Sequence, residues 1–142
     1  MKNNLLIYGM ILFLFGVVNG VVIPFFENPR MGLSAHLAGV QNALVLLAFG
    51  LIWNKVKLSQ IALGWCFWLS VYGMYSIWAS LVLAAIFGTS SATPIAGNGF
   101  AGTQYQELTV NILLYSGSIT IIIASLQIIL GLIKNKKDVT RP

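Results

Sequence analysis

Residues 60–87 read QIALGWCFWLSVYGMYSIWASLVLAAIF, a run from Gln60 to Phe87 without a single charged side chain. As a helix rising 1.5 Å per residue it is about 40 Å long, against a bilayer hydrocarbon core of about 30 Å. Such a segment spans a membrane with length to spare, so it must tilt, kink near Gly73 or project from the bilayer. On either side lie three more apolar stretches, Leu5 to Ile23, Leu33 to Trp53 and Leu108 to Ile133, each long enough to cross as a helix. The first could be a signal peptide, but its apolar run exceeds the 7–15 residues typical of a signal h-region and no A-x-A site follows before Pro24.

The rest of the composition agrees. Of 142 residues, 58% are hydrophobic and 8% charged, whereas soluble domains carry about 25% charged residues. Eleven charges, eight basic and three acidic, cannot clothe a soluble domain of this size. The expected fold is all-α: an integral membrane four-helix bundle in which residues 1–142 form a single domain, since termini and loops leave too little chain for another. The basic surplus would suggest nucleic acid in a soluble chain. Here it marks topology instead, with Lys2, Lys55, Lys57, Lys134, Lys136, Lys137 and Arg141 in alternate connections and only Arg30 in the others. The positive-inside rule then predicts both termini and the middle loop on the cytoplasmic side, with loops 24–32 and 88–106 outside.

The outer loop from Gly88 to Gln106, rich in Gly, Ser, Thr and Ala with Pro94 in its middle, reads as a compact irregular cap. Gly16 and Gly20 form a GxxxG pair on the first helix, and Ser70, Gly73, Ser76 and Ser80 a small-residue strip on the third. Such strips let helix backbones approach, more often within a bundle than between protomers. Cys66 is the only cysteine, which excludes an intrachain disulfide, a CxxC redox pair and a cysteine-built zinc site, and it is expected to be a small buried hydrophobe.

Polar side chains inside a membrane are costly and therefore candidate functional groups. His36, the only histidine, lies near the outer end of the second helix. Alone it cannot build a structural zinc site or, within one protomer, a bis-histidine haem; it can bind one axial position of a haem whose other face is open. An imidazole that merely hydrogen-bonds a neighbouring helix is the commoner case. At 100° per residue Gly39, Val40 and Ala43 share the His36 face, small or slender as a flat macrocycle against a helix would require. Asn42 is about 120° away around the axis, so a site using both residues lies in a groove between helices or draws them from different protomers. On the fourth helix Glu107, Asn111, Tyr115 and Ser118 make one polar stripe. Glu107 is either an anchor at the positive end of the helix dipole or a proton-handling carboxylate beside His36. Trp65, Trp68, Tyr72 and Tyr75 form an aromatic face on the third helix, usually packing and otherwise the wall of a site for an aromatic substrate or a porphyrin.

The block Asn28-Pro29-Arg30-Met31-Gly32-Leu33-Ser34-Ala35-His36-Leu37-Ala38-Gly39-Val40-Gln41-Asn42 resembles the hydroxylaminobenzene mutase family of small four-helix membrane isomerases. The outer-loop segments Thr93-Pro94-Ile95-Ala96-Gly97 and Gly102-Thr103-Gln104-Tyr105-Gln106-Glu107 resemble it as well. That family is similar in turn to the styrene oxide isomerases, which share a histidine followed six residues later by an asparagine, here His36 and Asn42. The resemblance implies a homotrimer and ferric haem b held between protomers by His36, with Gly39 and Ala43 beside the ring. It also implies a small aromatic substrate near Asn42 and a tyrosine, Tyr72 or Tyr75, with Glu107 moving protons. The activity implied is conversion of an arylhydroxylamine to an ortho-aminophenol. The alternatives are epoxide-to-aldehyde isomerisation and a non-catalytic membrane protein that binds a partner or lipid. One departure stands out: the mutase pattern has an asparagine before the tryptophan of the third helix, and this chain has Ile77 before Trp78.

Overall fold

The computed structural model describes residues 1–139, with side chains through Lys136; Arg141 and the side chain of Lys137, counted above in the basic C-terminal cluster, lie outside the described residues. The chain forms α1 (Lys2–Val22), α2 (Pro29–Ile52), α3 (Gln60–Phe87), a one-turn α4 (Pro94–Gly97) and α5 (Gln104–Val139), with 3-10 turns at Ile23–Phe25 and Trp53–Lys55. Four of these helices are long and apolar enough to cross a membrane.

Local chemistry explains the boundaries. Asn28 caps α2, its side chain accepting from the Met31 amide at 3.1 Å, and Pro29 follows at the first helical position, where its missing N–H costs nothing. The helix therefore starts four residues before the apolar run at Leu33. Thr103 and Gln106 make a reciprocal capping box: the Gln106 side chain accepts from the Thr103 amide at 2.8 Å and the Thr103 hydroxyl from the Gln106 amide at 3.4 Å. It starts α5 at Gln104, inside what the composition reads as loop. Ser59 caps α3, whose bounds are those of the uncharged run, and Gly88 closes it in the left-handed conformation (φ +66°) that glycine adopts without penalty. Within the expected irregular outer cap, Pro94–Gly97 closes one helical turn.

The order of packing sets the form of the bundle. α1 packs along α2, α2 along α3 and α3 along α5, while α5 packs along neither α1 nor α2 among the described residues. The result is an open row in which α3 is the one long helix that α5 packs along, with the 53–59 connection touching α5 through the Lys57 amide on the Gly131 carbonyl at 3.1 Å. Both small-residue strips are used inside this row. A Cβ on Gly39 would come within 2.7 Å of the Gly16 Cα, which marks the α1–α2 crossing, and one on Gly73 within 2.9 Å of the Gly117 carbonyl, which marks the α3–α5 crossing. Ser76 donates from its hydroxyl to the Leu113 carbonyl at 2.8 Å across the same seam. Cys66 is fully buried near Ala124.

Buried apolar residues fall into two groups. The larger, including Leu5, Leu12, Ala43, Leu46, Cys66, Phe67, Met74, Ala124 and Ile128, fills the half toward the 53–59 connection. Met31, Ala84, Ala85 and Val110 form the smaller one beneath the outer cap. Between them the glycines at the α1–α2 crossing and the polar residues His36 and Asn42 make a belt where the apolar core is interrupted.

Candidate functional site

His36 reaches across the α1–α2 seam, its Nδ1 2.8 Å from the Gly16 carbonyl oxygen. A carbonyl only accepts, so Nδ1 carries the proton and Nε2 keeps a bare lone pair. Nε2 has no partner among the described residues and is not sealed in the interior. This is how metal-binding histidines are usually held, one nitrogen donating to a carbonyl and the other free to ligate. Gly20 makes room for the ring: a Cβ there would lie 2.7 Å from Nδ1 and 2.9 Å from Cε1. The GxxxG pair thus has two jobs, since Gly16 supplies the acceptor and Gly20 the space. No group of three His, Cys, Asp or Glu side chains among the described residues could hold a metal ion. The donor chemistry of His36 fits one axial position of a haem.

Asn42 belongs to the other flank of α2. Its Nδ2 donates to the Met74 carbonyl of α3 at 2.9 Å, which turns Oδ1 away as an acceptor without a partner among the described residues. From α3 the tyrosines diverge: the Tyr75 hydroxyl donates to the Tyr8 carbonyl of α1 at 2.8 Å, and the Tyr72 hydroxyl shares a 2.8 Å bond with Ser116 of α5. Between these anchors runs an open groove lined by Tyr72, Tyr75, Ser76, Trp78, Ala79 and Leu113. Trp65 and Trp68 continue the aromatic face but are largely exposed, with Trp68 edge-on to Phe67 at 5.0 Å. Ile77 is not part of this groove; it sits at the α3–α5 crossing, where a Cβ on Gly117 would come within 3.1 Å of its side chain.

The remaining expected residues are placed elsewhere. Gly39 and Ala43 are buried, with Gly39 pressed between Gly16 and the Trp78 indole, so their small size serves the helix crossing and leaves no room for a macrocycle against that stripe. Glu107 does not face His36, because α5 does not pack on α2. Its carboxylate accepts from the amides of Ser90 (3.0 Å), Ser91 (3.0 Å) and Gly102 (3.1 Å) and from the Ser91 hydroxyl (2.6 Å), tying both ends of the outer loop to the first turn of α5. Asn111, next on the stripe, bonds Ser91 as well, whereas Tyr115 is 57% exposed and points outward.

One residue of the outer cap carries more than its sequence position suggests. Asn28, 1% exposed, donates from its backbone to Ala85 (3.0 Å) and from its side chain to Ala96 (3.3 Å) and Gly97 (3.1 Å), besides capping α2. It therefore locks α2, the end of α3 and α4 together. The Asn-Pro pair was a readable capping signal, but its reach to residues 96 and 97 was not. In one protomer, then, His36 is tied to α1 and Asn42 to α3.

Four long apolar helices with a one-turn outer cap define the class, a small multi-pass helical membrane protein. The chain belongs to the styrene oxide isomerase family, whose model matches residues 1–133. It is 38% identical to hydroxylaminobenzene mutase HabB of Ectopseudomonas oleovorans over 133 residues, covering 93% of this chain and 81% of that protein. To hydroxylaminobenzene mutase HabA of the same organism it is 34% identical over 135 residues, covering 94% of this chain and all of HabA. No solved structure gives a significant match. The protein is a multi-pass membrane isomerase.

Proposed function

We propose that the chain is an intramolecular mutase converting an arylhydroxylamine to an ortho-aminophenol, with haem b bound through His36. The carrying observation is the imidazole itself, whose Nδ1–H is committed to the Gly16 carbonyl while Nε2 is left free. The likeness to two proteins named hydroxylaminobenzene mutase supports the substrate class.

The reaction is an isomerisation: the N–O bond breaks, a C–O bond forms at the ortho carbon, that carbon loses its proton and nitrogen gains one. No oxidant or reductant is consumed. When bound, the haem iron supplies a Lewis acid that withdraws electron density from the N–OH oxygen. The rest falls to the chain's own side chains. Oδ1 of Asn42 accepts from the substrate N–H and orients it, and Tyr72 and Tyr75 wall the ring. The apolar groove excludes water, which would otherwise capture a ring that has lost its N–O electrons. Glu107 contributes by holding the cap closed.

His36 and Asn42 are tied to different neighbours of α2, α1 and α3, and α5 packs along neither α1 nor α2. Both features support a homotrimer in which His36 of one protomer faces the groove of the next. The arrangement proposed in the cell is a bacterial inner membrane with both termini cytoplasmic.

The family model favours a second substrate, since an epoxide opened by the same acid yields an aldehyde after a hydride shift. One experiment separates the two. Membranes containing the protein are incubated with phenylhydroxylamine and with styrene oxide; 2-aminophenol is expected from the first, phenylacetaldehyde would support the alternative, and neither product counts against both. In parallel, a Soret band lost in His36→Ala supports the haem, and a colourless wild type supplied with haem refutes it.

A further inference from the structure

Asn19 of α1 takes no part in the proposed reaction, yet it is 95% buried, with 5% exposure, in a helix that is otherwise apolar at this depth. Its Nδ2 donates to the Gly32 carbonyl at 3.1 Å, which fixes the amide and turns Oδ1 the other way. No donor reaches Oδ1 among the described residues, and it is not one of the sealed, unpartnered polar atoms. Asn19 lines a groove between α1 and the outer half of α3, walled by Phe15, Val22, Phe26, Trp78 and Val82. Phe15 and Trp78 stack there with centroids 5.4 Å apart and planes at 15°. Trp78 also lines the groove of Tyr72 and Tyr75, so the two grooves meet at one indole.

An acceptor facing a space without water is costly until a donor arrives. A lipid acyl chain would cover the aromatic walls and leave Oδ1 bare. We propose that this groove binds a small arene bearing an N–H or O–H group, its ring against Phe15, Phe26 and Trp78 and its polar hydrogen on Asn19 Oδ1. The site stands on its own geometry; its natural occupant, an arylhydroxylamine or aminophenol passing toward or from the tyrosine groove, rests on the proposed reaction.

Photolabelling of the full-length protein in membranes tests it, using 4-azidophenol and 4-azidoanisole, the same arene with and without a donor. The phenol is expected to label the peptides around residues 15–26 and 78–82, to be displaced by 2-aminophenol, and to exceed the anisole roughly two- to ten-fold, the factor one hydrogen bond supplies. In Asn19→Leu the phenol should fall to the level of the anisole. Equal labelling by the two probes in the wild type, or none in these peptides, overturns the proposal, and that comparison needs no variant to fold. Turnover of phenylhydroxylamine without labelling would sink the groove alone. Labelling without turnover of phenylhydroxylamine or styrene oxide would sustain the groove and sink both proposed reactions.

Discussion

Gly20→Ala should disturb His36 without touching it chemically. The new methyl would sit 2.7 Å from Nδ1, 2.9 Å from Cε1 and 3.3 Å from Cγ, against an ordinary carbon contact of about 3.5–4.0 Å. The ring must retreat by roughly 0.7 Å or more to restore that contact distance. Retreat on that scale takes the 2.8 Å bond to Gly16 beyond the N–H···O range of about 2.7–3.2 Å. Overpacking costs about 1–3 kcal/mol and the lost bond about 0.5–1.5 kcal/mol, so a destabilisation of about 2–4 kcal/mol is expected. The readout is direct because the chain has a single histidine. With histidine labelled at its ring nitrogens, wild-type spectra above the imidazole titration should show Nδ1 protonated and Nε2 bare, and the variant a mixture of tautomers. An unchanged tautomer, with stability within about 0.5 kcal/mol of wild type, would refute the idea that Gly20 positions the imidazole.

Glu107→Gln puts an amide where four donors expect a carboxylate, so amide exchange at Ser90, Ser91 and Gly102 should quicken by roughly ten- to a hundred-fold, with little change elsewhere. Asn28→Ala strips the α2 cap and two bonds to α4, a loss of about 2–4 kcal/mol expected as a lower denaturation midpoint and early proteolysis of the outer loop. Gly117→Ala places a methyl 3.1 Å from the Gly73 carbonyl, the Ile77 side chain and the Ser76 Cβ. Because α3 is the one long helix that α5 packs along, cysteine crosslinks across that seam should form more slowly while those across the α1–α2 seam keep their rate.

Much of this protein is written in one dimension. The apolar run 60–87 specifies that α3 is a helix because nothing else satisfies its own backbone in hydrocarbon, and Ser59 and Gly88 mark its ends. His36, the only histidine, was likewise legible as a candidate ligand. Harder to read were the helix ends at 29 and 104, where a capping asparagine and a Thr–Gln box extend helices past their apolar runs. Hydropathy marks burial in lipid, whereas helix ends are set by single hydrogen bonds.

Partnership lay beyond the sequence altogether. Helical arithmetic put Gly39 and Ala43 on the His36 face correctly, but it could not say that α1 and Trp78 occupy that face. The polar stripe of α5 was real in Glu107 and Asn111, yet only the packing order showed that α5 does not pack along α2 and that the carboxylate is spent on the outer loop. Composition and periodicity determined that this chain is a four-span helical membrane protein with one candidate ligand, because those properties belong to each segment separately. Which nitrogen of His36 is free, and which distant groups Asn19, Asn28 and Glu107 reach, belong to pairs of residues 13 to 69 positions apart, and only the tertiary structure brings such pairs together.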